Sequence, residues 1–203
     1  MTLTIYGSPR SRTMRVLWMA AELGLDYTHV SLGFDDPALK ESSFLRINPM
    51  GTVPAIVDGD VVLSESLAIN LYLAKKYGSG GAAPLYPNTA PGEAEVWRWT
   101  LWAQGHLEPW VQRDAFMADI RGAAADHIQT ALRPSLSKLN QALSQRTWPT
   151  GDHFSVGDLN VAAILSPSRT QAIDMDGLPK IRAWLARCYE RPAAVAVRQR
   201  FQA

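Results

Sequence analysis

Between Gly78 and Gly92 the chain carries Gly78-Ser79-Gly80-Gly81 and then Pro84, Pro87 and Pro91, a run that continues neither a helix nor a sheet. The hydrophobic period differs on its two sides. Before it, short alternating stretches interleave with helical ones; after it, every periodic stretch is helical. A chain written this way folds as two units of different architecture. Residues 1–78 form a first domain, 79–91 a linker, and 92–203 an all-helical domain. With 203 residues, 47% of them hydrophobic, the chain can supply both cores.

In the first segment, residues 2–6 alternate as a strand, and Gly7-Ser8-Pro9 turns into a helix over Arg12 to Leu23, stopped by Gly24. Tyr27 to Leu32 alternates again, so the opening is a strand, a crossover helix and a parallel strand. A short helix around Lys40 to Leu45 follows. Ala55–Val57 and Val61–Leu63 flank Asp58-Gly59-Asp60, an antiparallel hairpin signal. A helix from Glu65 to Tyr77, with Ser64 as its N-cap, closes the segment. The order βαβ then ββα predicts an α/β, thioredoxin-like domain with a mixed four-stranded sheet. Helical patterns cover Glu93–Leu107, Trp110–Ala118, Ala125–Gln145, Val156–Leu165 and Lys180–Glu190, with a break at Glu108-Pro109 and Pro192 as a terminator. They predict an all-helical bundle.

Twenty Lys and Arg against 19 Asp and Glu leave a net charge of +1, with no run of like charge to suggest a nucleic-acid arm or an anionic membrane surface. The N-terminus lacks a basic segment followed by an apolar one, and no apolar run approaches the roughly 18 residues of a membrane span. A cytoplasmic protein is expected, without nucleic-acid or membrane partners. Cys188, the one cysteine, supplies neither a disulfide nor a CxxC pair and is expected as a small buried residue. His29, His127 and His153 have no metal-ligand spacing with a carboxylate or thiol, and no metal is assigned.

The segment Asn48-Pro49-Met50-Gly51-Thr52-Val53-Pro54-Ala55-Ile56, followed after the hairpin by Ser64-Glu65-Ser66, resembles the glutathione site of the cytosolic glutathione transferases, and the likeness runs from Thr2 to near Arg191. The resemblance implies that Thr52, Val53 and Pro54 bind glutathione, with Val53-Pro54 cis and the Val53 backbone facing the cysteinyl part. Only about 5% of X-Pro bonds are cis, so a fold that retains one uses its turn. The alternative is a trans proline opening a strand. Ser66, where a strand hands over to a helix, can present its hydroxyl and N–H to a carboxylate, and Glu65 can take the neighbouring ammonium. The two charges are those of a γ-glutamyl end; a plain helix cap is the other reading. Lys40 is similar in position to the basic residue that several family members use for the glycyl carboxylate, against the alternative of a solvated surface lysine.

A free thiol has a pKa near 8.5 and needs activation. Ser11, just before the first helix and four residues ahead of Arg15-Val16-Leu17, resembles the theta-class pattern, in which a serine donates its hydroxyl to the glutathione thiolate; it is the catalytic candidate. Ser8, Thr13 and Tyr6 are rival hydroxyls, and Ser11 as a mere cap is the alternative. Arg10 and Arg12 flank it and can stabilise an anionic leaving group. Trp99 and Trp102, three apart on one helical face, are candidates with Arg10 for lining the electrophile pocket, or are simply core. Ser155-Val156-Gly157-Asp158 reads as a structural capping box, with Phe154 as its staple. The function so implied is conjugation of glutathione, as co-substrate, to an electrophilic small molecule by a detoxifying homodimer. A glutathione-dependent disulfide reductase or peroxidase, or a non-catalytic binding module, is the competing reading.

Overall fold

Strand β1 (Leu3–Tyr6) buries Leu3 and Ile5, the alternation that put a strand there. It opens a computed structural model that describes residues 3–111, 123–166 and 173–201. The order continues as α1 (Thr13–Glu22), β2 (Tyr27–Val30), a 3-10 turn (Pro37–Lys40), α2 (Ser42–Leu45), β3 (Ala55–Asp58), β4 (Val61–Ser64) and α3 (Ser66–Tyr77). The helical part comprises α4 (Ala90–His106), α5 (Ala123–Gln145), α6 (Val156–Ile164), α7 (Pro179–Tyr189) and α8 (Pro192–Phe201). By its contacts the chain divides into one unit of Met1–Gly80 with Arg191–Ala203 and another of Gly81–Glu190.

The first unit is a four-stranded mixed sheet in the order β2-β1-β3-β4, with β1 and β2 parallel and the other pairs antiparallel. This is the thioredoxin-like arrangement expected. α1 and α3 pack together, α1 burying Val16 through Ala20 without interruption. Asp58, at the end of β3, ties the hairpin to α3: its buried carboxylate accepts from Lys76 Nζ (2.8 Å), Tyr72 OH (2.9 Å) and Tyr77 OH (2.8 Å). Burial pushes this carboxyl up, but the hydrogen bonds from Lys76, Tyr77 and Tyr72 outweigh it and hold it below its ordinary value.

Several local expectations change. Ser64 ends β4, and the residue before α3 is Glu65, with no side-chain cap. The expected helix from Lys40 to Leu45 is split in two. Asp36 caps the 3-10 turn by accepting from Ala38 N–H at 3.0 Å, and Glu41, extended at φ −72° and ψ 149°, separates it from α2. α4 starts earlier than expected: Thr89 caps it and Pro91, taken as linker, sits in its first turn, where proline's fixed φ suits a helix start. Pro192 does the same for α8, so it opens a helix after α7 has ended. α8 then packs on α1 in the first unit, where Arg191 donates bidentately to the Glu22 carboxylate at 2.8 and 2.7 Å.

In the second unit α4 packs on α6. A Cβ on Gly157 would lie 2.5 Å from Thr150 Cγ2 and 3.3 Å from Val96 Cα, so glycine is what permits that approach. The capping box at Ser155 forms as expected: buried Asp158 accepts from Ser155 N–H (3.0 Å), Trp184 Nε1–H (3.3 Å) and the Thr150 hydroxyl. Burial still raises the Asp158 carboxyl to about 6. α7 has no cap of its own, and Asn140 of α5 supplies one by accepting from the N–H groups of Lys180 (3.0 Å) and Ile181 (3.3 Å). Cys188 is buried in α7. α4 ends at His106, Leu107 forms a turn, and residues 108–111 are helical; residues 112–118 of the expected Trp110–Ala118 helix lie outside the described residues. No helix among the described residues is long and apolar enough to cross a membrane.

Candidate functional site

Strand pairing decides which loops meet. Tyr6, the last residue of β1, pairs with Val30, the last of β2, and with Ala55, the first of β3; Ala55 in turn pairs with Ser64, the last of β4. The loop holding Ser11, the Thr52–Pro54 segment and the Glu65-Ser66 pair therefore all leave from one end of the sheet.

The Val53-Pro54 bond is cis. Among the described residues no hydrogen bond engages the Val53 backbone, so its N–H and C=O are available to a ligand. Asn48 shapes the segment: its buried amide donates to Thr52 O (2.7 Å) and Thr52 Oγ1 (3.2 Å), and its Oδ1 accepts from Met50 N–H (3.2 Å). Lys40 closes the 3-10 turn and reaches Gly51 O at 3.4 Å, which brings its ammonium beside the same segment.

Glu65 is the one non-glycine residue with positive φ among the described residues, at φ 71° and ψ 108°. Such a conformation costs of order 1–3 kcal/mol and is retained mainly where it serves a site. Here it turns the chain from β4 into α3, leaving the Glu65 side chain exposed and Ser66 buried at the helix start. Arg15 of α1 is equally buried, and its Nη1 donates to Ser66 Oγ at 3.3 Å. Sequence reasoning gave Arg15 no role. The available signal was a cation next to the apolar run Val16-Leu17 on a helix that has to be buried.

Ser11 lies half-buried two residues before α1. Its hydroxyl donates to Ser8 O at 2.7 Å, contacts Thr13 Oγ1 at 2.8 Å and accepts from Thr13 N–H at 3.1 Å. The last bond engages the first N–H of α1, but the residue at the cap position is Arg12, which has no side-chain cap, so Ser11 stands one residue before the cap that the alternative reading gave it. Of the rivals, Tyr6 lies within β1 with its ring against Phe44, Ser8 Oγ accepts from Arg10 N–H at 3.2 Å, and Thr13 is buried beneath Ser11. Arg10 is exposed in this loop.

Trp99 and Trp102 belong to α4 in the second unit. Trp99 is buried and meets Trp102 edge-to-face at 5.0 Å between ring centroids, and Trp102 stacks on His106 at 6.2 Å, so the shared face is real and forms an aromatic row. Among the described residues no three His, Cys, Asp or Glu side chains are grouped to hold a metal ion.

Residues 1–75 match the family model described as "Glutathione S-transferase, N-terminal domain", and residues 108–187 match "Glutathione S-transferase, C-terminal domain". Glutathione S-transferase 3 of Zea mays is 34% identical over 206 residues, covering 94% of this chain and 90% of that protein. Glutathione S-transferase GstB of Escherichia coli K12 is 29% identical over 201 residues, covering 94% and 95%. The theta class glutathione S-transferase of the citrus canker pathogen Xanthomonas axonopodis pv. citri, solved with glutathione bound, superposes with a TM-score of 0.83 at 30% identity, covering 100% of this chain and 98% of that one.

Proposed function

The chain belongs to the glutathione S-transferase family and is a glutathione transferase, and on that premise we propose that it conjugates glutathione to an electrophilic small molecule, with Ser11 holding the sulfur as thiolate. The observation that carries this reading is the convergence of three loops at one sheet end: Ser11, Val53-Pro54 and Glu65-Ser66. The relative with glutathione bound supports glutathione as the co-substrate.

The Val53 N–H and C=O pair with the cysteinyl backbone, aided by Thr52 and Pro54. The γ-glutamyl carboxylate lies at Ser66 and the start of α3, where the helix dipole favours negative charge. Glu65 takes the ammonium and Lys40 the glycyl carboxylate. The thiol proton passes to water, and Ser11 O–H donates to the sulfur left behind. A sulfur lone pair then forms the carbon–sulfur bond while the leaving group departs with its bonding pair. Arg10 stabilises an anionic leaving group. No cysteine stands in the loop from Gly7 to Thr13, so a protein mixed disulfide, the step a reductase of this kind uses, has no sulfur to form on there.

The protein acts as a cytoplasmic homodimer in this reading. The first unit exposes Phe34 (74%), Met50 (75%) and the edge-strand residues Val61 and Val62, surface that a partner covers. Sedimentation should give twice the 22.3 kDa chain mass. The functional test is product analysis on an aryl halide, an isothiocyanate, an epoxide, a hydroperoxide and a mixed disulfide. Glutathione S-conjugates, thioethers from the aryl halide and epoxide and a dithiocarbamate from the isothiocyanate, are expected at the highest kcat/KM; turnover confined to the last two substrates would replace this reading with the reductase or peroxidase one.

A further inference from the structure

We propose that Thr13 is a positioning residue that makes the Ser11 hydroxyl a donor only, so that the site takes sulfur as thiolate rather than as thiol. The inference rests on the reading of Ser11 given above. A serine hydroxyl has one proton and two acceptor lone pairs. The Ser11 proton goes to Ser8 O at 2.7 Å, and a carbonyl can only accept. In the 2.8 Å contact between Ser11 Oγ and Thr13 Oγ1 the donor is therefore Thr13. Thr13 N–H also donates to Ser11 Oγ, at 3.1 Å. One residue thus fills both lone pairs of the Ser11 oxygen, and the remaining capacity of that oxygen is its own O–H.

A thiol would offer a proton to Ser11, and no lone pair is left to take it. A thiolate would accept the Ser11 proton. The turn from Ser8 O to sulfur costs little, because Ser8 O keeps the Ser11 N–H bond at 3.0 Å. Donation into the Ser11 oxygen also polarises its O–H and strengthens the outgoing bond.

The surroundings hold Thr13 in this role. Its side chain is fully buried. Gly7, at φ 127°, faces it: a Cβ there would lie 2.1 Å from Thr13 Oγ1 and 2.8 Å from Val53 Cβ. The threonine hydroxyl is thus packed between the strand end and the Val53 loop, hydrogen-bonded to Ser11 Oγ.

The test is the pH titration of bound glutathione by thiolate absorbance, with steady-state kinetics, on the full chain. Thr13→Val removes the hydroxyl and keeps the shape and the backbone N–H; Thr13→Ala serves if the valine variant does not fold; Thr13→Ser restores Oγ1. Loss of one hydrogen bond should raise the thiol midpoint by about 0.5 to 1 unit and lower kcat about three- to tenfold below that midpoint, with the KM for glutathione within about twofold. Thr13→Ser should return the wild-type midpoint. Ser11→Ala should raise it further, and adding Thr13→Val to Ser11→Ala should change nothing more. A wild-type midpoint in Thr13→Val, or an additive shift in the double variant, overturns the role of Thr13 while a raised midpoint in Ser11→Ala keeps that of Ser11. An unchanged midpoint in Ser11→Ala overturns both.

Discussion

Arg15 Nη1, in the first turn of α1, donates to Ser66 Oγ, the first residue of α3, at 3.3 Å, and each residue is only 3% exposed. Two helix starts and a guanidinium thus share one end of the sheet. Positive partial charges of both helix termini and a full positive charge favour a carboxylate and a thiolate there.

Replacing Arg15 by Met should therefore weaken glutathione binding roughly tenfold, as Ser66 loses the donor that orients its hydroxyl. Calorimetric titration checks this, and kcat at saturating glutathione should change less than affinity. Unchanged affinity would reduce Arg15 to a packing role.

Glu65 separates function from stability. At φ 71° a glycine avoids the Cβ strain that a larger residue carries, which offsets its greater entropy in the unfolded chain, so Glu65→Gly should melt within a few degrees of wild type. Its glutathione affinity should still fall by about tenfold, because the ammonium loses its carboxylate. A drop in melting temperature with affinity intact would show that Glu65 serves the fold instead.

The two buried aspartates should give opposite pH dependences. Asp58 is held below its unfolded value, so its contribution is present above that value and is lost as pH falls through the folded one. Asp158 is raised to about 6, so the native state holds the extra proton: its contribution is full below pH 4 and is lost as pH rises toward 6 and beyond. Urea unfolding of Asp58→Asn and Asp158→Asn across pH 3 to 8 checks both signs. Asp158→Asn should flatten the decline between pH 4 and 7, a difference of order 2–3 kcal/mol, and Asp58→Asn should flatten the loss on the acid side.

Much of this was legible in the chain itself. The Asp58-Gly59-Asp60 turn fixes the hairpin, the period change at Gly78 to Gly92 separates the two architectures, and the Ser155–Asp158 spacing marks a cap that the structure contains. What escaped depends on long-range partners. Ser64 looked like a helix cap because nothing local announces a non-glycine residue at positive φ; Glu65 takes that conformation at the junction of β4 and α3. Pro192 looked like a stop because helix starts and stops both use proline; packing of α8 on α1, with the Arg191–Glu22 pair, decides it. The pairings of Arg15 with Ser66 and of Thr13 with Ser11 were not legible, because the first spans 51 residues and the second depends on how a tight turn folds.

The account stands most directly on the state of the sulfur. If Ser11 O–H donates to it, glutathione bound to the wild-type protein should titrate near 6.5 to 7.5, about one to two units below a free thiol. In Ser11→Ala the midpoint should move up by that amount while glutathione affinity stays nearly unchanged, since most contacts lie at Val53 and at Glu65-Ser66. A Ser11→Ala protein whose bound glutathione still titrates at the wild-type midpoint would contradict the account.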